Sequence, residues 1–227
     1  MILAVVVSAA SACSDPGTID VDVTLPSLDS ADLAGATVSA GDVGEDWEEQ
    51  QGATPSTVQI GGKVGPANIP NPVAQATSAF EKKEGDGVVS NTVYLLGSEE
   101  VAAAVMDAHT KATDRSWTQR RSDGGSYAFE RTGTVEGLSK IGDEVYTARL
   151  DVTITTGPPR IESSPGTGED ADETPEPAKQ TIEFVAYRTG AMVSFLVAEG
   201  VGVAGFARDQ ADRLHDIVAR APVATPR

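Results

Sequence analysis

Alternation of apolar and polar residues predicts the β-strands of this chain. The clearest alternation runs from Val145 to Ile154, where every second residue is apolar and the residues between are polar or charged. This period of two is typical of a strand with one buried and one solvated face. Similar patterns predict further strands at 76–83, 88–96, near Trp117, and at 127–132, 180–188 and 192–198.

Apolar residues at helical spacing predict two main helices. The first follows Ser98, a favourable N-cap residue, and runs to about Asp114. The second runs from about Ala204 to Ala219, and Pro222 ends it. The predicted buried stripes are Val101, Val105, Ala108 and Ala112 in the first helix, and Ala207, Ala211, Leu214, Val218 and Ala221 in the second. A short helical turn after Ser39 is expected to lead to Trp47.

The order of these elements predicts the fold class. Residues 76–114 and 180–219 both give strand, glycine-containing turn, strand and helix. We therefore expect an α+β fold with an antiparallel sheet of about five to seven strands, packed with two main helices and containing two strand-strand-helix units.

The chain divides into four segments. Residues 1–12 are predicted as a signal peptide, residues 13–36 as a lipidated Cys with a flexible tether, residues 37–221 as a single domain, and residues 222–227 as a tail. Within the domain, residues 157–179 are rich in Pro and acidic residues. Such a segment cannot bury enough apolar surface to offset its ordering entropy, so a disordered loop is expected there.

Cys13 is predicted to carry a lipid. It is the single cysteine of the chain, and it follows a short apolar run from Ile2 to Ala9 and the small residues of Ala10-Ser11-Ala12. The run is too short to span a bilayer but fits a signal peptide, and the small residues before the cysteine resemble a bacterial lipobox. No Lys or Arg precedes Cys13, which suggests a start codon placed too late. The alternative is a plain secretory peptide with an incidental cysteine.

Charge and cysteine content exclude several functions. The formal net charge is -17, which repels nucleic acid and anionic lipid head groups, so attachment to a membrane requires a covalent anchor. A single cysteine excludes intrachain disulfides and zinc sites built on thiolates.

Motifs for catalysis are missing from the sequence. It contains no P-loop, no Gly-x-Ser-x-Gly and no His-Glu-x-x-His. Its two histidines, His109 and His215, are expected at the surface, and neither has neighbours that would complete a metal site. The chain is therefore expected to be no enzyme and to hold no cofactor or metal.

A basic cluster with a tryptophan is the candidate for ligand binding. Its residues are Arg115, Trp117, Arg120 and Arg121. Guanidinium groups can hold an anionic ligand, and an indole can stack on a ring. The alternative is that the arginines complement a helix dipole while Trp117 packs in the core.

Several segments resemble the actinobacterial extracytoplasmic sensor-like domain, which occurs on receptor Ser/Thr kinases and alone in secreted lipoproteins. They are residues 40–47 (AGDVGEDW), 93–104 (VYLLGSEEVAAA), 141–146 (IGDEVY) and 184–190 (FVAYRTG). The resemblance implies an antiparallel sheet packed with helices, a cleft that binds a ligand, and no catalysis. It assigns no binding residue.

Three functions remain open from the sequence. The first is a lipid-anchored ligand-binding or sensor-type lipoprotein at the outer face of the cell membrane. The second is a carrier of lipids or apolar cell-envelope molecules, and the third is an envelope scaffold. The expected partners are the membrane, through the anchor, and an unknown small molecule, lipid or envelope protein, but not nucleic acid.

Overall fold

A single antiparallel sheet of eight strands forms the centre of the protein. The computed structural model describes residues 28–50, 72–120, 124–155 and 176–221. The strand order across the sheet is β1-β2-β3-β8-β7-β6-β5-β4. In chain order the elements are α1 (Ser30–Ala34), α2 (Ala40–Val43), β1 (Trp47–Glu49), β2 (Ala74–Lys82), β3 (Val88–Leu95), α3 (Glu99–Thr113), β4 (Trp117–Arg120), β5 (Ser126–Gly133), β6 (Glu144–Thr155), β7 (Ala178–Thr189), β8 (Met192–Glu199) and α4 (Ala204–Arg220).

The prediction of five to seven strands is wrong, because the sheet has eight. The strand that the sequence pattern did not predict is β1. It pairs with the end of β2, with Trp47 opposite Lys82 and Glu49 opposite Phe80. A strand of three residues is too short for alternation to identify it, and the sequence predicted a helical turn leading to Trp47. The described residues also contain two short helices, α1 and α2, besides the two long ones.

Helices cover both faces of the sheet. Helix α4, with α1 beside it, packs on one face, which we call the α4 face; its core includes Leu33, Phe80, Val185, Leu196 and Leu214. Helix α3 packs on the other, the α3 face, over a core that includes Tyr94, Met106, Tyr146, Phe184 and Phe195. Successive side chains of the central strands pack alternately into the two cores, which is why the middle of β7, residues 184–187, and most of β8 are apolar on both faces.

Helix α4 is fastened at two points. At its start, the Glu183 carboxylate on β7 accepts a hydrogen bond from the Val203 N–H at 2.9 Å and is itself paired with Arg149 at 2.6 Å. Further along, Arg213 donates to the Asp42 carboxylate at 2.9 Å and to the Thr37 carbonyl at 3.1 Å. Asp42 belongs to the segment that begins AGDV, so this motif ties α2 to α4.

Three buried polar side chains form a closed network under α4. Asn91 donates to the Ser194 hydroxyl at 3.1 Å, Ser194 donates to Gln210 at 2.9 Å, and Gln210 donates back to Asn91 at 2.6 Å. Asn91 also donates to the Phe195 carbonyl at 3.0 Å. Because each member has a hydrogen-bond partner, the network links β3, β8 and α4 and offsets the cost of burying these polar groups.

The start of β6 fits closely against the turn between β7 and β8. Gly142 has a φ of +63°, and a Cβ there would lie 2.3 Å from the Arg188 carbonyl. The next residue, Asp143, donates its N–H to that carbonyl at 2.7 Å and accepts from the Gly190 N–H at 2.7 Å. The Ile-Gly-Asp-Glu segment therefore needs glycine at its second position.

The packed domain begins earlier than the predicted boundary at residue 37. Helix α1 lies within the segment assigned to the tether, and its Leu33 is fully buried against the α4 face. Cys13 and residues 157–175 of the acidic loop lie outside the described residues, whereas Ala178 and Lys179 belong to β7. In the part of the chain that the structure describes, none of the helices has the length and apolar character needed to cross a membrane.

Candidate ligand-binding site

The α3 face carries an apolar surface that helix α3 covers in part. The helix contacts β6, β7 and β8. Beyond the helix the apolar residues continue across β4 to β8 in a second, largely buried cluster that we call the distal patch: Trp117, Phe129, Val152, Ile182 and Val197. Trp117 and Val197 are half-buried and also contact the core under α3. The distal patch is thus continuous with that core but more open to solvent at its border.

Helix α3 places a histidine against the core on this face. Ser98 caps the helix by accepting a hydrogen bond from the Val101 N–H at 3.2 Å. The buried positions along the helix then follow the i, i+3, i+4 spacing: Ala102, Val105, Met106, His109 and Thr113. The expectation of a surface histidine is confirmed for His215 and wrong for His109, which is 3% exposed.

His109 is buried without a hydrogen bond from its ring. The ring centroid lies 4.3 Å from that of Phe195, and neither Nδ1 nor Nε2 has a partner among the described residues. Burial lowers the pKa of His109 to about 4, so the imidazole is neutral at pH 7. A neutral imidazole offers one N–H donor and one acceptor, and both are unused here.

Trp117 supplies a second unused polar group on the same face. Its ring stacks on Phe129 with centroids 4.5 Å apart and an interplanar angle of 8°. The indole Nε1 is buried and has no hydrogen-bond partner in the described chain. Trp117 also packs against the core that contains Phe195, the ring on which His109 lies. The two unpaired groups therefore border one continuous apolar cluster.

Charged groups near this cluster are engaged or acidic. Arg131 on β5 is paired with Asp114 at the end of α3, and its guanidinium lies 5.3 Å from the ring centre of Tyr146. Glu199 lies two residues beyond Val197 on the same face of β8, and burial, together with the nearby Asp86, raises its pKa.

The structure separates the residues of the predicted basic cluster. Trp117 and Arg120 lie on β4 three residues apart, so their side chains point to opposite faces of the sheet. Arg115 is exposed in the connection between α3 and β4. Arg121 lies outside the described residues. Of the four candidates, Trp117 is the one that the structure places on the distal patch.

The residues that the structure describes do not include a candidate metal-binding site. They contain no group of three or more His, Cys, Asp or Glu side chains that could hold an ion.

The described residues form one antiparallel sheet with a long helix on each face, and this fold can be compared with solved structures. One structure that it matches is the extracellular domain of PknH from Mycobacterium tuberculosis, with 10% sequence identity and a TM-score of 0.48, over 87% of this chain and 100% of that chain. At this distance the likeness carries no argument about what the present chain binds. A scan against protein-family models and a search of curated proteins both find no match.

Proposed function

We propose that this chain is a lipid-anchored, non-enzymatic ligand-binding domain of the sensor type, held at the outer face of the cell membrane. The observation that carries the binding proposal is the apolar cluster of the α3 face, against which His109 and Trp117 lie with polar groups that are unpaired among the described residues. Apolar surface with a few placed polar groups is the usual composition of a small-molecule site.

The state of His109 favours binding over catalysis. A general base works best when its pKa lies near the operating pH, and the pKa of His109 is lowered to about 4. The imidazole would therefore take up a proton poorly at neutral pH, although it can still donate and accept hydrogen bonds.

The anchor is argued from the sequence. Cys13 is the single cysteine and stands at the end of an apolar run that resembles a signal peptide. A net charge of -17 gives the protein no electrostatic attraction to anionic head groups, so a covalent lipid is the simplest means of attachment. A diacyl anchor holds a protein durably, whereas a single chain does not.

Intact-mass spectrometry of protein from the native membrane fraction tests the anchor. We expect a diacylglyceryl modification on the mature chain, and we expect Cys13→Ala to lose both this mass and the membrane association. An unmodified wild-type chain recovered outside the membrane fraction would contradict the anchor.

Native mass spectrometry, before and after solvent extraction, tests the ligand-binding proposal. We expect the wild-type domain to release a small molecule. Release of a long-chain lipid would favour the carrier function instead. An empty protein that cross-links to an envelope protein would favour the scaffold function.

A further inference from the structure

We propose that helix α3 opens in acid: protonation of the His109 imidazole favours a locally open state in which α3 leaves the sheet while the strands and α4 stay folded. The core that α3 covers is the apolar cluster to which the ligand-binding proposal refers. This inference therefore rests on the proposed function and names a means of regulating access to that cluster.

The buried position of His109 gives the sensitivity to acid. Its side chain is on a residue that is 3% exposed, its ring lies on Phe195, and neither ring nitrogen has a hydrogen-bond partner among the described residues. An imidazolium in this place would be a buried charge without a partner, which is strongly unfavourable. In the open state the imidazole meets water and regains its ordinary proton affinity, so acid favours that state.

The middle of helix α3 is held on the sheet by apolar contact. Ala102, Val105 and Met106 pack in the α3-face core, and the buried hydroxyl of Thr113 donates to a carbonyl of the helix itself at 2.7 Å. Helix α4, by contrast, is joined to the strands through the buried side chain of Gln210. Loss of apolar packing at His109 therefore affects α3 more directly than α4.

Both ends of helix α3 are close to solvent. Gly97, before the helix, is exposed, and a Cβ there would contact nothing. Ser116, after the helix, is exposed as well. Two polar contacts with the sheet lie at this end, where Arg131 and Tyr146 both reach Asp114, a side chain that is 50% exposed. Because exposed pairs contribute little stability, the helix can move as a unit about Gly97 and Ser116.

Other ionisable side chains lie on the same face. Those of the strands are Tyr94 on β3, Tyr127 and Arg131 on β5, Glu144 and Tyr146 on β6, Arg188 on β7 and Glu199 on β8, and those of the helix and its end are Glu99, Glu100, Asp107, Lys111 and Asp114. Burial raises the pKa of Tyr94 to about 12 and also raises that of Tyr146, so both phenols stay neutral between pH 7 and pH 5.

The carboxyl groups with shifted pKa values do not produce the proposed effect. Burial raises the pKa of Glu199, and a group of this kind adds stability as the pH falls, which is opposite in sign to the effect of His109. A hydrogen bond with the side chain of the helix-capping serine lowers the pKa of Glu100, so this group titrates below 4.5. His109 is thus the group expected to make α3 open as the pH falls from 7 to 5.

Methionine oxidation by dilute hydrogen peroxide tests the proposal on the full chain without added ligand. Met106 lies on α3 and is 0% exposed in the α3-face core, whereas Met192 lies on β8 and is 2% exposed in the core of the α4 face. A thioether does not titrate, so its intrinsic rate with peroxide is the same at pH 7 and pH 5. The rate at each methionine, measured by mass spectrometry of peptides, therefore reports how often each core opens.

We expect Met106 to oxidise faster than Met192 at both pH values. Its rate should rise about 20-fold from pH 7 to pH 5, as follows from a pKa of about 4 in the closed state and 6.5 in the open state. Because local opening exposes little surface, the rate at Met106 should depend weakly on urea, whereas the rate at Met192 should rise steeply.

Substitutions assign the effect to one side chain. His109→Leu should abolish the rise at Met106, because leucine does not titrate, and His215→Leu should keep it, because His215 is exposed. If His109→Leu does not fold, His109→Gln replaces it with another side chain that cannot be protonated. The ratio of the rates at the two pH values within each variant cancels differences in overall stability.

Three results would overturn the proposal. The first is a rate at Met106 that is the same at pH 7 and pH 5. The second is equal rates and equal urea dependence at Met106 and Met192, which would mean that α3 leaves the sheet only when the whole domain unfolds. The third is a rise that persists in the His109 variants. The proposed function fails separately, if the native protein releases no small molecule, whether or not α3 opens.

Discussion

Gln210 and His109 occupy equivalent places on the two faces of the sheet. Each projects from a long helix onto strand β8, Gln210 onto Ser194 and His109 onto Phe195, the next residue of the strand. Each is almost fully buried. Gln210 closes a hydrogen-bonded network with Asn91, whereas neither ring nitrogen of His109 has a partner among the residues that the structure describes.

The difference separates a polar group that stabilises the fold from one whose hydrogen-bonding capacity is unused within the described residues. Asn91, Ser194 and Gln210 satisfy each other, so their network fixes the position of α4 and leaves little for a ligand. The α4 face also has a buried hydroxyl group without a partner among the described residues, on Ser78. Ser78 is almost fully buried, as His109 is, so an unpaired buried group is not confined to the α3 face.

The largest expected effect comes from breaking the network on the α4 face. Asn91→Ala should lower the free energy of unfolding by about 3 kcal/mol, because it leaves buried partners unpaired. Urea unfolding measures this loss. In a double-mutant cycle with Gln210→Ala the two losses should be strongly non-additive. Additive losses would mean that the two side chains do not act together.

The next effect is a pH dependence on the α3 face. The pKa of His109 is about 4 in the folded protein and 6.5 as the ordinary value, so the unfolded chain binds the proton first. The contribution of neutral His109 to the free energy of unfolding is fully present above pH 6.5 and is lost as the pH falls towards 4. Between pH 7 and pH 5 the loss is about 2 kcal/mol, and His109→Leu should remove it from the urea-unfolding profile.

His215→Leu is the matched control for this pH profile, since His215 is exposed. It should leave the slope unchanged. Equal slopes in the wild type and in His109→Leu would contradict the burial of a neutral imidazole.

Smaller losses of unfolding free energy are expected from removing the side-chain contacts at the ends of the two long helices. Glu183, whose side chain is 15% exposed, caps α4 and pairs with Arg149, whereas Asp114 at the end of α3 is 50% exposed. Glu183→Ala should therefore cost about 1 kcal/mol of unfolding free energy, and Asp114→Ala about half of that. A larger loss for Asp114→Ala would reverse the order.

The smallest effect is expected from removing the unpaired imidazole at pH 7.5. His109→Leu should leave the free energy of unfolding unchanged or raise it by up to about 1 kcal/mol, because it removes a buried polar group that has no partner. A loss of more than about 2 kcal/mol would identify His109 as a structural residue rather than a ligand contact.

The sequence predicts the long elements because their patterns repeat several times. The alternation from Val145 to Ile154 lies entirely within β6, and the Ser98 cap stands at the start of α3. Strand β1 could not be predicted, because Trp47–Glu49 pairs with residues more than thirty positions away and has no period of its own. Long-range pairing decides such strands, and local pattern does not.

The sequence predicts a cluster of Arg115, Trp117, Arg120 and Arg121, but the alternation of strand β4 places Trp117 and Arg120 on opposite faces. His109 is absent from the predicted buried stripe, because that stripe follows Val101 and Ala108, both half-buried, instead of Ala102, Met106 and His109. A helical wheel cannot decide between two adjacent stripes when Ala and Val occupy both.

The two edge strands of the sheet affect whether copies of this protein can pair with each other edge to edge. Strand β1 has three residues, including Glu48 and Glu49, and β4 has four, ending in Arg120. Behind β1, the longer strand β2 is shielded, since its Gln75 N–H reaches the Ser30 hydroxyl at 3.4 Å. Short, charged edges give another strand little to pair with. The sheet is thus protected against edge-to-edge aggregation when many copies are concentrated in a small space.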